Sequence, residues 1–188
     1  MPHMFEVGET PLRPREAQLL ARLQREYTPL LLREVLVPLV EQTSMVSLRV
    51  LDWTVVNWTK QHNVICTTSE GGMVNIHEAY RATLAIWKRR LFDPFRRRNR
   101  ITVCVDGKEY ETTLGQAHFI LWAHTTGTLA YTLGNLGAIE ASMNLVAHTQ
   151  KRRRVEADAA SQKRRAELTT ASHNSCLAYF CPVRVEFE

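Results

Sequence analysis

Residues 101–112, ITVCVDGKEYET, constrain the fold of this chain more than any other stretch. Ile101, Val103 and Val105 alternate with polar residues, and Asp106-Gly107 is the pair favoured in a two-residue hairpin turn. That turn sets the register. Val105 faces Lys108, Val103 faces Tyr110 and Ile101 faces Thr112, so the apolar side chains share one face. The next segment, LGQAHFILWAH, is capped by Thr112 or Thr113 and is apolar nearly all round, so it reads as a buried helix.

Upstream, Pro14 suits a first helical turn, and Ala17, Leu20, Leu23 and Tyr27 follow at helical spacing. Pro29 interrupts, and a short helix from Leu30 to about Val37 is expected to end near Pro38. Ser44 or Ser47 can cap VSLRVLDWTVVNWTK, which is apolar on most sides and therefore central. Its Arg49 and Asp52 are spaced to pair with each other or with neighbours. Asn63–Thr67 is short and β-branched, with a turn after it. Asn75 can cap an amphipathic helix from Ile76 to about Leu91, which Asp93-Pro94 stops. Thr128 to about His148 reads as a further helix. The closing LAYFCPVRVEF alternates strictly, and Pro182 confines it to a sheet edge. The expected fold is α+β, a mainly helical domain with a small antiparallel sheet made of the hairpin 100–112 and the strand 176–187. The expected organisation is a domain over 1–149, a basic linker or exposed helix over 150–172, and a strand over 173–188 that returns to the first domain.

Charge is unevenly placed. Residues 88–100 carry seven Lys/Arg against Asp93, and residues 151–165 carry seven against Glu156 and Asp158. These runs sum to +11 on a chain of net +5, so the remaining residues sum to −6. Segregated positive charge marks a polyanion-binding surface. Arginine predominates, and its guanidinium fork suits bidentate phosphate contacts. In the first run, Phe92 and Phe95 flank a proline turn that would hold Arg89, Arg90, Arg96, Arg97, Arg98 and Arg100 in fixed geometry. In the second run, Lys151, Arg152, Arg153, Arg154, Lys163, Arg164 and Arg165 form two clusters spaced like a bipartite nuclear-localisation signal.

Catalytic and cofactor motifs are absent: no P-loop, HExxH, G-x-S-x-G or dinucleotide fingerprint occurs. His118 and His124 lie in the buried helix and read as core histidines. Thr125-Thr126-Gly127-Thr128 reads as an ordinary helix start. The four cysteines, 66, 104, 176 and 181, lack CxxC spacing, which argues against zinc and for free thiols in a reducing compartment. MPHMFEVGETP does not have the basic and apolar regions of a secretory signal, and no apolar run is long enough for a membrane span.

Several pieces together resemble a small protein family of large nucleocytoplasmic DNA viruses. They are SLRVLDWTVVNWTKQHNV, FDPFRRRNRI, VDGKEYETTLGQAHFILWA and KRRAELTTAS, and the similarity covers about residues 45–187. The most specific are Phe92-Asp93-Pro94-Phe95-Arg96-Arg97-Arg98 and Thr112-Thr113-Leu114-Gly115-Gln116. The chain departs from the family pattern after Gln116, carrying His118 in place of an amide. The resemblance implies a viral, non-enzymatic protein and transfers no activity. The expected function is binding of DNA or RNA, or another polyanion, through the arginine-rich segments, without cofactor or metal. The alternative is a virion structural or assembly protein that uses the same surface for protein partners. The expected location is the virion or the host nucleus or cytoplasm.

Overall fold

Turn chemistry and helix caps set most element boundaries in the computed structural model, which describes residues 5–7, 11–95, 97 and 100–164, with backbone alone at 7 and 158–164. In chain order the elements are β1 (Phe5–Val7), α1 (Pro14–Glu26), α2 (29–40), α3 (48–62), β2 (Ile65–Thr67), β3 (Met73–Asn75), α4 (Ile76–Leu91), β4 (Arg100–Val105), β5 (Lys108–Thr113), α5 (Leu114–Thr125), α6 (Thr128–Gly134) and α7 (Leu136–Arg164). The architecture is mainly helical α+β with two small antiparallel sheets. The chain divides into two units, Met1–Leu145 and Val146–Glu188.

The hairpin adopts the expected register, with Val105 opposite Lys108, Val103 opposite Tyr110 and Ile101 opposite Thr112. Asp106 and Gly107 both have positive φ, 52° and 77°, as a type I′ turn requires. Arg33 of α2 grips the turn with two hydrogen bonds to the Asp106 carboxylate, at 2.8 and 2.6 Å. The third strand of this sheet is β1, which pairs antiparallel with β4 and gives the order β1-β4-β5. The strand expected at 176–187 lies outside the described residues.

Caps fall on three of the expected residues. Ser47 Oγ accepts from Val50 N–H, Asn75 Oδ1 from Glu78 N–H and Thr113 Oγ1 from Gln116 N–H. Pro14 opens α1. In α1, Leu23 and the following Tyr27 are buried as expected and Leu20 is half-buried against the core, while Glu16 and Leu19 are buried in place of the exposed Ala17.

Helix α2 does not stop at Pro38. It runs through Pro29–Leu31, a π-helical turn Leu32–Leu36, and Val37–Val40. A proline in a regular helix meets the carbonyl four residues back. The wider turn just before Pro38 relieves that clash. A second π turn, Thr54–Trp58, interrupts α3, and around it Thr54 and Thr59 donate to the carbonyls of Val50 and Val55. The helix expected from Thr128 to His148 is two helices, broken at Asn135.

Every residue of α5 from Leu114 to Ala123 is buried. The helix lies between two clusters, which is why it is apolar all round. One cluster joins its Leu114, Ala117 and Ile120 to Leu19, Leu23, Leu32, Leu36 and the inner face of the hairpin. The other joins Phe119 and Trp122 to Leu51, Val55, Ile76, Tyr80 and Phe92.

Helix α4 carries a break at Lys88, where φ is 58° and ψ is 162°. Both sides of that residue are tied to α1. Arg15 lies over the Trp87 ring at 5.3 Å and donates to the Ile86 carbonyl, while Arg90 pairs with Glu16. The residue between the two ties takes a conformation that L side chains rarely adopt. Because Lys88 is exposed, Lys88→Gly removes strain without removing packing. The expected gain is about 1 kcal/mol, read as a raised urea midpoint with unchanged slope.

Candidate polyanion-binding surface

The first basic run is built around a buried turn. Phe92, Asp93 and Pro94 are buried and Phe95 is half-buried. The turn is docked on the start of α5. Asp93 N–H donates to Gly115 O at 3.2 Å, Gln116 Nε2 donates to Pro94 O at 3.0 Å, and His118 Nδ1 bonds Leu91 O at 2.8 Å. Thr112 Oγ1 donates to Gln116 Oε1 at 2.8 Å, which completes the side-chain amide's role in the network. At Gly115 a Cβ would lie 3.4 Å from both Arg90 O and Asp93 N, so a small residue lets the two backbones approach. The two most specific sequence motifs, FDPF and TTLGQ, are thus two halves of one contact.

Replacing Gln116 with Leu leaves the Thr112 hydroxyl and the Pro94 carbonyl buried without partners. The expected loss is about 2–4 kcal/mol, measured by urea denaturation, since each stranded group costs about 1–3 kcal/mol.

The described arginines around this turn, Arg89, Arg90, Arg97 and Arg100, lie near carboxylates of the same chain. Arg90 pairs with Glu16, which is 7% exposed. Burial alone would raise the Glu16 carboxyl, but the Arg13 N–H, bonded to it at 2.9 Å, and the Arg90 guanidinium outweigh that and hold it below its ordinary value. Arg97 lies 3.7 Å from Asp93 and 4.9 Å from the centre of the Phe95 ring. Arg100 lies 3.3 Å from Glu111 across the hairpin. Arg89 is exposed and acts on Asp52, whose carboxyl is raised by burial despite the pull of that arginine. Asp52 therefore answers to Arg89, Arg97 and Asp93 rather than standing as an isolated acid. Arg96 and Arg98 lie outside the described residues.

The second run is different in kind. Lys151, Arg152, Arg153 and Arg154 are all exposed on α7, and Arg152 lies 3.5 Å from Glu156 in the next turn. Val155 is also exposed. The helical backbone extends through Lys163 and Arg164, which lie about three turns beyond Arg152. Arg165 lies outside the described residues, as do Cys176 and Cys181.

His118 is a core residue, 3% exposed, and packs edge-on against Trp87 and Phe92. Burial pushes its pKa down to about 4, so the ring is neutral at neutral pH. His124 is half-buried near the end of α5. Cys66 is buried and Cys104 exposed, both as free thiols. Among the described residues, no group of three or more His, Cys, Asp or Glu comes together as a metal site needs. No described helix is long and apolar enough to cross a membrane. The turn at Thr126–Thr128 is a packing feature, with the two hydroxyls bonded to each other at 2.7 Å.

Glu16 was the partner that sequence reasoning did not pick out. Its one local signal is its place at the third position of a helix opened by Pro14, where a Glu reaches back to a free backbone N–H.

No solved structure matches the chain. An uncharacterized protein of Acanthamoeba polyphaga mimivirus is 26% identical over 140 residues, covering 69% of this chain and 54% of the relative. The chain therefore spans about half the length of the curated relative it matches. A family model described as "Family of unknown function (DUF7197)" matches residues 12–178. That match takes in both halves of the FDPF–TTLGQ contact and the basic segment of α7, and with the mimivirus relative it shows that the chain belongs to this giant-virus family of unknown function.

Proposed function

We propose that this viral protein is non-enzymatic and binds nucleic acid or another polyanion through its arginine-rich segments, with Lys151–Arg154 supplying the principal contact. The observation that carries the reading is the exposure of four consecutive cations on α7, of which Arg152 lies beside Glu156. Consecutive residues fan out about 100° apart around a helix, and their long side chains gather phosphates by charge, without reading sequence. Arg89, Arg97 and Arg100 are exposed as well and add to the surface, but their carboxylate neighbours compete with phosphate for Arg97 and Arg100. Arg90 serves mainly to hold α1 against the end of α4.

Two serine variants test the reading on immobilised duplex DNA and single-stranded RNA. On the duplex, serine at Lys151–Arg154 is expected to lower the slope of log affinity against log salt by about three to four, since each lost phosphate contact removes about 0.9. Serine at Arg96–Arg98 is expected to do less. An unchanged slope in the first variant, with the fold intact, contradicts the proposal.

A second reading is a virion assembly protein. It draws on the outer face of the small β2–β3 sheet, where Ile65 and Met73 are 53% and 79% exposed, an arrangement suited to a protein partner. Fixed stoichiometry in nuclease-treated particles favours it over polyanion binding.

A further inference from the structure

A cavity of about 210 Å³ opens between α1, α4 and α5, well away from the cations of α7 in sequence and chemistry. Its walls are the indoles of Trp87 and Trp122 with aliphatic side chains beside them, and His118, Thr83, Thr125 and Arg22 supply its polar groups. Each of these groups is already committed in a particular sense. His118 Nδ1 bonds the Leu91 carbonyl at 2.8 Å, and because a carbonyl only accepts, Nδ1 carries the hydrogen. The neutral ring then keeps one free lone pair, on Nε2. Thr83 Oγ1 donates to Ala79 O at 2.8 Å, and Thr125 Oγ1 donates to Trp122 O at 3.2 Å, so both hydroxyls have spent their hydrogens. Arg22 is engaged twice by Glu26, at 2.7 and 3.4 Å, which neutralises it.

What remains is an aromatic cavity in which His118 Nε2 is a free acceptor, beside the Arg22 N–H groups that Glu26 leaves unused. A cation would sit beside Arg22, and an anion would meet the Nε2 lone pair and the Glu26 carboxylate that holds Arg22. A cavity of about 150 Å³ takes benzene, so this one takes a single ring with a small substituent. We propose that the cavity is a binding site for a small uncharged aromatic molecule bearing an O–H or N–H donor, with His118 Nε2 as the principal acceptor and the two indoles as the walls.

The test is a titration of the full chain with phenol and with anisole, its methyl ether, followed by ¹⁵N NMR of the imidazole and indole nitrogens. Phenol is expected to bind at least tenfold more tightly than anisole and to shift the His118 Nε2 signal together with the Trp87 and Trp122 indoles. His118→Phe keeps the ring shape and removes the lone pair, and is expected to bring phenol down to the level of anisole. Should that variant fail to fold, the phenol-to-anisole ratio and the Nε2 shift in the unaltered chain decide the matter. Equal affinities, or phenol binding that leaves His118 Nε2 unmoved, overturn the proposal, as does the absence of any binding.

Discussion

Gly127→Ala is expected to cost the protein about 3–5 kcal/mol, more than alanine at any other described glycine. Gly127 joins α5 to α6 with φ of 74°, where an L residue costs about 1–2 kcal/mol. The larger part is steric. A Cβ there would lie 2.5 Å from the Thr67 carbonyl oxygen and 3.4 Å from Cys66 Cβ, and no flexible side-chain end is present to yield. The strand β2 is held in that place by its pairing with β3 and by the Ser69 N–H bond to Thr125 O at 2.8 Å. Gly127→Asn separates the two contributions, since Asn tolerates the left-handed region but still brings a Cβ. Urea denaturation is expected to place the two variants within about 1 kcal/mol of each other. A loss below about 1 kcal/mol for Gly127→Ala shows that β2 moves freely away from the junction.

Acid is expected to destabilise the fold between pH 6.5 and 4, and His118 is the reason. Its pKa is 6.5 in an unfolded chain and about 4 in the folded one, because burial among Trp87, Phe92 and Leu91 disfavours the charged ring. The charges nearest it, Arg22 and Glu26, oppose each other. Within that window the unfolded chain binds a proton that the folded chain refuses. Stability is therefore complete above pH 6.5 and falls as the pH drops, by about 3 kcal/mol over the whole window. Glu16, held below its ordinary value, adds a loss of the same sign at lower pH. His118→Asn supplies an amide at this position and removes the titrating group. Its stability is expected to be nearly flat from pH 7 to pH 4.5, whereas the unaltered chain loses most of the stated amount. Parallel pH profiles for the two proteins contradict this account of the histidine.

The features that could be read from the chain are those whose chemistry is local. Asp106-Gly107 with alternating neighbours specifies a hairpin register, and Ser47, Asn75 and Thr113 each cap within three residues of themselves. The buried character of α5 follows from composition alone, since no face of it is polar. Elements defined by a distant partner were less visible. Strand β1 is three residues long and exists by pairing with β4. Strand β3 follows two glycines and is likewise defined by its partner, β2. The π turns answer to Pro38 and to the packing of α3, not to any residue preference within them. The break at Lys88 lies between two ties to α1, Arg15 at Ile86 and Trp87 and Glu16 at Arg90, which no local residue pattern shows.

The same division runs through the candidate surface. That residues 88–100 and 151–165 are basic is plain in the sequence, but their different surroundings are not. Arg90 meets Glu16 across 74 residues of chain, and Asp52 and Asp93 reach the arginines from another helix and from the turn itself. The FDPFRRR motif combines a buried turn that secures the start of α5 with Arg97, which lies beside the Asp93 carboxylate of that turn. The basic segment of α7 has few apolar residues and exposed cations, and a solvated charged helix was one of the two states its composition allowed.

The central claim is that exposed cations, chiefly Lys151–Arg154, bind phosphate backbones. It is tested most directly by measuring the affinity of the intact protein for duplex DNA across a salt series. With about six to eight phosphates contacted, affinity is expected to fall by about three orders of magnitude or more between 50 and 200 mM salt. Affinity that does not change with salt, or no binding even at the lowest salt, contradicts the claim.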